Sequence, residues 1–186
     1  MALLKPLTHA SVATRPGMLV ATCLVVTTML LCARVGESAS ANEYQVKAAF
    51  LFNFAKFVEW PPSAFADANT PLVIGVLGQD PFGSHLDDIV RGERVNNRSL
   101  KVQRYRSASE IKGCHVLFIS RSESERLDQI VGTFRSRQML LVTDADGGRG
   151  VMIRFVNEGN RIRFKIDAQA AKAANLTISS KLLRLG

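Results

Sequence analysis

The chain has 186 residues, a formal charge of +8 and three cysteines. Once a leader is removed, this length suits one domain. The one cysteine then left, Cys114, excludes an internal disulfide and argues against a thiol-redox role.

Residues 1–41 read as a secretory signal peptide. Lys5 and Arg15 give a basic start, Gly17 to Ala33 run without a charge, and Ala39-Ser40-Ala41 offers an A-x-A site for cleavage after Ala41. The uncharged run approaches the shortest membrane-spanning length, and the cleavage site decides for removal. Cys32 does not mark a lipoprotein, because Leu31 stands where a small residue is needed. Lys5, Arg15, Arg34 and Glu37 leave with the leader, so residues 42–186 carry +6. No second long apolar run follows, so the mature part is expected to be soluble. A basic exported protein can meet anionic lipid headgroups, acidic partners or cell-wall polymers. Export argues against nucleic acid.

The mature chain opens with "NEYQVKAAFLFNFAKFVEW", whose apolar residues recur at helical spacing up to Pro61-Pro62. "PLVIGVLG" is a continuous branched apolar run, the pattern of a strand buried on both faces. Asp80-Pro81 reads as an N-cap with proline at the first helical position, opening the helix "FGSHLDDIVRG". "LKVQRY" is a strand. "SASEIKG" is a helical turn with Ser107 and Glu110 spaced as a capping box. "CHVLFIS" is a third buried strand, with Cys114 buried at its start. Ser122 and Glu125 make a second capping box before "ESERLDQIVGTFRSR", and "MLLVTD" is a fourth strand. "VMIRFVNEGNRIRFKID" reads as a hairpin turning near 157–160. Asp167 caps a helix over "AQAAKAANL", and "ISSKLLRL" ends the chain as a strand or short helix. The expected fold is therefore an α/β three-layer sandwich, its sheet mostly parallel with a C-terminal antiparallel hairpin at the edge.

Catalytic chemistry finds no footing. His85 and His115 lack acidic or cysteine neighbours at metal-ligand spacing, and no G-x-S-x-G elbow occurs. The turn "GQDPFG" lacks the residues of a phosphate loop. "DADGG" lacks the closing glutamate of a calcium loop and reads as a flexible loop. No catalytic residue, metal or cofactor is expected.

Two features point to binding. In the hairpin's second strand Arg161, Arg163 and Lys165 alternate with Ile162, Phe164 and Ile166, which places three cations on one face. Such a face either solvates a sheet edge or docks an acidic partner. On the opening helix, with Phe50 as origin and roughly 100° per residue, Phe57, Phe54, Val58, Leu51, Tyr44 and Ala55 form one stripe that Val46 extends. Phe52 falls at roughly 200°, among Glu59, Gln45 and Lys56, and Trp60 lies just off the stripe at the helix end. Phe52 and Trp60 are therefore candidate interface residues, unless a loop such as "PPSAFADANTP" folds back over Phe52. The division predicts that loss of the stripe unfolds the chain and that loss of Phe52 leaves it folded.

The segments "EYQVKAAFLFNFAKFVEWP", "VIGVLGQDPFG", "CHVLFISRSE", "GVMIRFVNEGNRIRFKID" and "LTISSKLLRL" resemble, in order and spacing, the YfiR-like family of exported bacterial proteins. The resemblance implies a periplasmic α/β protein without known catalytic activity, often a homodimer. It implies restraint of an inner-membrane diguanylate cyclase through the cyclase's periplasmic sensor domain. An outer-membrane lipoprotein can sequester the restraining protein, so that cyclic-di-GMP and biofilm formation rise. Two departures are visible. Family members often carry cysteine pairs, where this chain has Cys114 alone, and an expected Gly-Gly-Met-Ile run reads "GRGVMI" here. The partner-binding residues expected are Phe52, Trp60, Arg161, Arg163 and Lys165. The alternative is a small-ligand sensor serving a sensor kinase or outer-membrane transporter. Its ligand, neutral or cationic, would lie at the carboxyl ends of the strands, near Gly78–Asp80, Ser120–Ser122 and Thr143–Asp146.

Overall fold

The computed structural model describes residues 42–159 and 161–186; the leader expected over 1–41 lies outside them. Helix α1 covers 42–57. It ends three residues before the expected Trp60, because Val58–Glu59 leave the helix as strand β1 and pair antiparallel with β9, Thr177–Ile178. The proline pair that follows would have stopped the helix in any case. Trp60 is thus not on α1, and its place on the helical wheel does not hold.

The main sheet has seven strands in the order β3-β4-β2-β5-β6-β7-β8. They are β2 Leu72–Leu77, β3 Arg94–Val95, β4 Arg98–Tyr105, β5 Val116–Ile119, β6 Leu140–Thr143, β7 Ile153–Glu158 and β8 Arg161–Ile166. Strands β4, β2, β5, β6 and β7 run parallel, and β3 and β8 are antiparallel at the two edges. This is the expected mixed α/β class with its edge hairpin. The short strands β1 and β3 are not among the expected strands, and the ending read as strand or short helix contributes Ile178 to β9 and Ser180–Leu183 to a helix. Every residue of β5 and β6 is buried, as their unbroken apolar runs require. Strand β7 reaches β6 only through Val142↔Ile153 and Thr143↔Arg154, so the hairpin continues past the end of β6.

Between the strands lie α2 (Ser84–Val90), α3 (Leu127–Phe134) and α4 (Ala168–Ala173), and α5 (Ser180–Leu183) follows β9. Asp167 caps α4 as expected, accepting from the Ala170 amide at 2.9 Å. Ser107 caps a short 3-10 turn while Glu110 reaches back to the Arg106 amide at 3.0 Å. Two other caps differ. Asp80 accepts from the Phe82 amide at 2.8 Å in a side-chain turn, and α2 starts only after Gly83. Ser120, not Ser122, caps the 3-10 turn Arg121–Arg126 that leads into α3. The Ser122 hydroxyl accepts instead from the Gln79 amide at 2.9 Å. A distant amide outcompeted the local cap in that case.

Helix α1 lies on the sheet through the expected stripe. Leu51, Phe54, Ala55 and Val58 are fully buried, and Tyr44, Phe50 and Phe57 are half-buried. Phe54 stacks on Phe155 of β7 (5.7 Å) and meets Phe164 of β8 edge-on (5.1 Å). Phe50 meets Phe164 at 5.2 Å. Val46 does not extend the stripe and is 41% exposed. Phe54→Ala should cost about 3–5 kcal/mol in urea unfolding, the usual range for a buried Phe truncation. Phe52→Ala, a half-buried site, should cost about 1 kcal/mol or less. Equal losses at the two sites would contradict this division.

Candidate functional site

The ladder on β8 stands as its alternation requires. Arg161, Arg163 and Lys165 are exposed, while Phe164 is buried and Ile162 and Ile166 half-buried against the core. Register places Arg154, Val156 and Glu158 of β7 beside Lys165, Arg163 and Arg161 on the cationic face. The one ion pair the ladder makes among the described residues is Arg163 to Glu158, at 4.0 Å and between exposed groups. Such a pair contributes little. Lys165 also borders a cleft of about 460 Å³ lined by Asp146, Arg149, Arg154 and Asp167 among others. The Arg154 guanidinium donates to the Gly147 carbonyl and so braces the glycine loop at that cleft. Gly148 has φ +78, and a side chain there would collide with Leu127. The tight "GGRG" turn therefore shapes one wall.

Phe52 is half-buried at the margin of the core, with the Lys56 ammonium 5.1 Å from its ring centre. The loop after Pro61 does not cover it. That loop closes over His115, on which Phe65 stacks at 4.4 Å with the Arg98 guanidinium 3.8 Å beyond. Trp60 belongs to this assembly. Its indole N–H donates to the His115 carbonyl at 3.2 Å, and its ring meets the imidazole edge-on. The sequence-predicted residues therefore fall in separate places. Phe164, which shares a face of β8 with Ile162 and Ile166, packs on α1, so the cations point away from the helix that carries Phe52. Phe52, Trp60 and the ladder do not form one continuous patch.

His115 holds the loop as a neutral ring. Its Nδ1 accepts from the Val73 amide at 3.1 Å, which leaves Nε2 to donate to the Ala64 carbonyl at 3.1 Å. Burial holds its pKa below the ordinary 6.5. Beside it, burial pushes the Cys114 thiol up to about 12, which keeps it protonated and unreactive.

A buried charge cluster escaped the sequence reading. Lys47 is 1% exposed and lies inside the apolar stripe. Its ammonium reaches Asp144 Oδ2 at 2.9 Å and Glu43 Oε1 at 2.6 Å. The Tyr44 hydroxyl donates to the same Asp144 oxygen at 2.7 Å. Burial and that carboxylate raise the Tyr44 pKa well above the usual phenol value. Burial works to raise the Glu43 carboxyl, but hydrogen bonds from Lys47 and Asn157 outweigh it and leave the pKa lowered. The signal was available: at roughly 60° on the wheel Lys47 falls between Phe54 and Val58, and a lysine there demands a buried acid. "DADGG" supplies that acid, so its first residue is a structural anchor and not part of a flexible loop.

At the carboxyl ends of the strands most polar groups bond within the chain, while Asp146 borders the cleft beside Lys165. Ser122 bonds Gln79, Thr143 Oγ1 donates to the Ile119 carbonyl, Arg121 donates to the Asp144 carbonyl, and Lys47 fills the space over Asp144. Ser122, Thr143 and Arg121 meet main-chain groups, and the Asp144 carboxylate meets Lys47 and Tyr44.

A model of the family described as YfiR/HmsC-like matches residues 44–186, and the chain belongs to that family. No curated protein matches it.

Lys47→Met strands Asp144 without its cation and should destabilise the protein by about 3–5 kcal/mol, whereas Lys47→Met with Asp144→Leu should recover most of the loss. A denaturant double-mutant cycle measures the coupling. For His115 the sign follows from its lowered pKa. Just below 6.5 the unfolded chain binds a proton that the native ring refuses, so stability falls as the pH drops through that window. Urea midpoints should decline on acidification below 6.5, and His115→Gln should flatten that slope.

Proposed function

We propose that this member of the YfiR/HmsC-like family is a periplasmic regulator that restrains an inner-membrane signalling protein of the diguanylate cyclase type by protein–protein contact. The observation that carries the reading is the β8 ladder, three exposed cations that the domain scarcely compensates. In this reading the sheet is the middle of a three-layer sandwich whose hairpin extends beyond its covering helices and presents the ladder to an acidic surface of the sensor domain. Phe52 on α1 and Trp60 beside His115 serve two further, separate contacts. Among the described residues no helix is long and apolar enough to cross a membrane. An outer-membrane lipoprotein competes for it, and a second copy is a further partner.

The physics is a population shift. The regulator must bind the inactive sensor more tightly than the active one, because equal affinity for both would move nothing. Restraint then lowers cyclic-di-GMP and biofilm formation, and sequestration releases both. Among the described residues no group of His, Cys, Asp and Glu is placed to hold a metal ion, and the reading requires no catalytic step.

Deleting the gene should raise cellular cyclic-di-GMP. An unchanged level across several growth conditions would overturn the cyclase version. The double change Phe52→Ala, Arg163→Glu should abolish co-purification with the membrane partner while the far-UV spectrum is kept. Intact co-purification would refute the assigned surface.

A further inference from the structure

We propose that the open edge of β8 takes up an extended segment of the partner, in which acidic and apolar residues alternate, as an added strand of the sheet. The inference rests on the regulatory reading above and specifies the chemistry of its contact.

Strand β8 ends the sheet order. The Asp167 amide donates to the Met152 carbonyl at 2.8 Å. With the register Ile153↔Ile166 and Arg154↔Lys165, antiparallel alternation turns the main-chain groups of Arg161, Arg163 and Lys165 inward to β7. The N–H and C=O groups of Ile162, Phe164 and Ile166 therefore face outward. Among the described residues no hydrogen bond reaches them. This leaves a row of unpaired donors and acceptors about six residues long, a template for strand addition.

The side chains state what the added strand should be. On one face of the edge stand Arg161, Arg163 and Lys165; on the other lie Ile162, Phe164 and Ile166. A neighbouring strand also alternates faces, so its residues beside the cations should be Asp or Glu and the ones between them apolar. The apolar side is continued by the chain's last residues. Gly186 packs on Ile166 and Phe164, and Leu183 and Leu185 are 43% and 59% exposed. The same pattern disfavours a second copy as occupant. Self-pairing along β8 would set cations against cations on one face, and like charges directly opposite are destabilising.

The test uses the exported, leader-processed protein and a blocked peptide of about seven residues alternating glutamate with valine. Titration should shift the backbone amides of Ile162, Phe164 and Ile166 in heteronuclear spectra. Scrambling the peptide, or N-methylating the amides along one of its edges, should weaken binding at least roughly tenfold, as should Arg163→Glu. Lys101→Glu, the same change of charge at an exposed position on β4, should leave it unchanged. Equal binding of oligoglutamate or of anionic phospholipid vesicles would show a charge patch without strand addition and overturn the proposal. Shifts confined to other elements, or self-association through β8, would overturn it as well. The outcomes also separate this proposal from the one beneath it. If Arg163→Glu loses the membrane partner but the native protein ignores every peptide, strand addition alone fails. If the peptide binds as expected but gene deletion leaves cyclic-di-GMP unchanged, the regulatory reading alone fails.

Discussion

Phe54 of α1 lies between Phe155 of β7 and Phe164 of β8, and the placement of the edge hairpin depends on that contact. The hairpin is joined to the rest of the sheet by two residue pairs only. A ladder that short would leave it free to twist. The aromatic cluster, completed by Phe50 and by Phe118 of β5, supplies what the ladder lacks. Each such pair adds about 0.5–1.5 kcal/mol beyond burial, and together they clamp β7 and β8 to the helix. With the apolar side of β8 committed to α1, the period of two leaves Arg161, Arg163 and Lys165 nowhere to point but away from it.

The buried Lys47–Asp144 pair works at the other end of the same helix. It is not an efficient source of stability, because two desolvated charges recover little more than an apolar pair would. Its effect is positional. Lys47 reaches the acid at the end of β6 in one rotation and one axial setting of α1, and Tyr44 bonds the same carboxylate from one turn of the helix. A helix with a broad aromatic stripe can slide on a sheet at small cost; a buried lysine cannot leave its acid. The pair sets the register in which Phe50 and Phe54 meet the hairpin.

What was legible in the sequence divides by distance along the chain. The buried strands were readable because unbroken runs such as "HVLFIS" carry their own signature. The face of the cations on β8 was readable because strand alternation is a local property. The Asp167 cap was readable for the same reason. The errors are non-local. Lys47 and Asp144 are 97 residues apart. Ser122 abandons its local cap for the amide of Gln79. Residues 58–59 exchange helix for a strand whose partner is at 177–178. The loop "PPSAFADANTP" was considered as a cover for Phe52, but it closes over His115, whose two nitrogens and stacked face fix it there. Of the five candidate interface residues, Trp60 has its indole N–H bonded to the His115 carbonyl, and its helical position was wrong because the helix had ended.

These placements constrain how one small domain can use the proposed surfaces. Phe52 and the ladder lie on opposite sides of the packed α1–hairpin unit, so a partner that uses both must reach around the edge at β8, and a partner that uses one leaves the other free for a competitor. The edge itself is common to both sides: its backbone groups lie between the apolar trio and the cations. An occupant there would lengthen the sheet and bring new side chains against Phe164, the residue that also holds Phe50 and Phe54. Occupancy of the edge and the seating of α1 would therefore draw on the same aromatic contacts. A coupling of that kind requires no long pathway, since β8 and the helix are already in van der Waals contact.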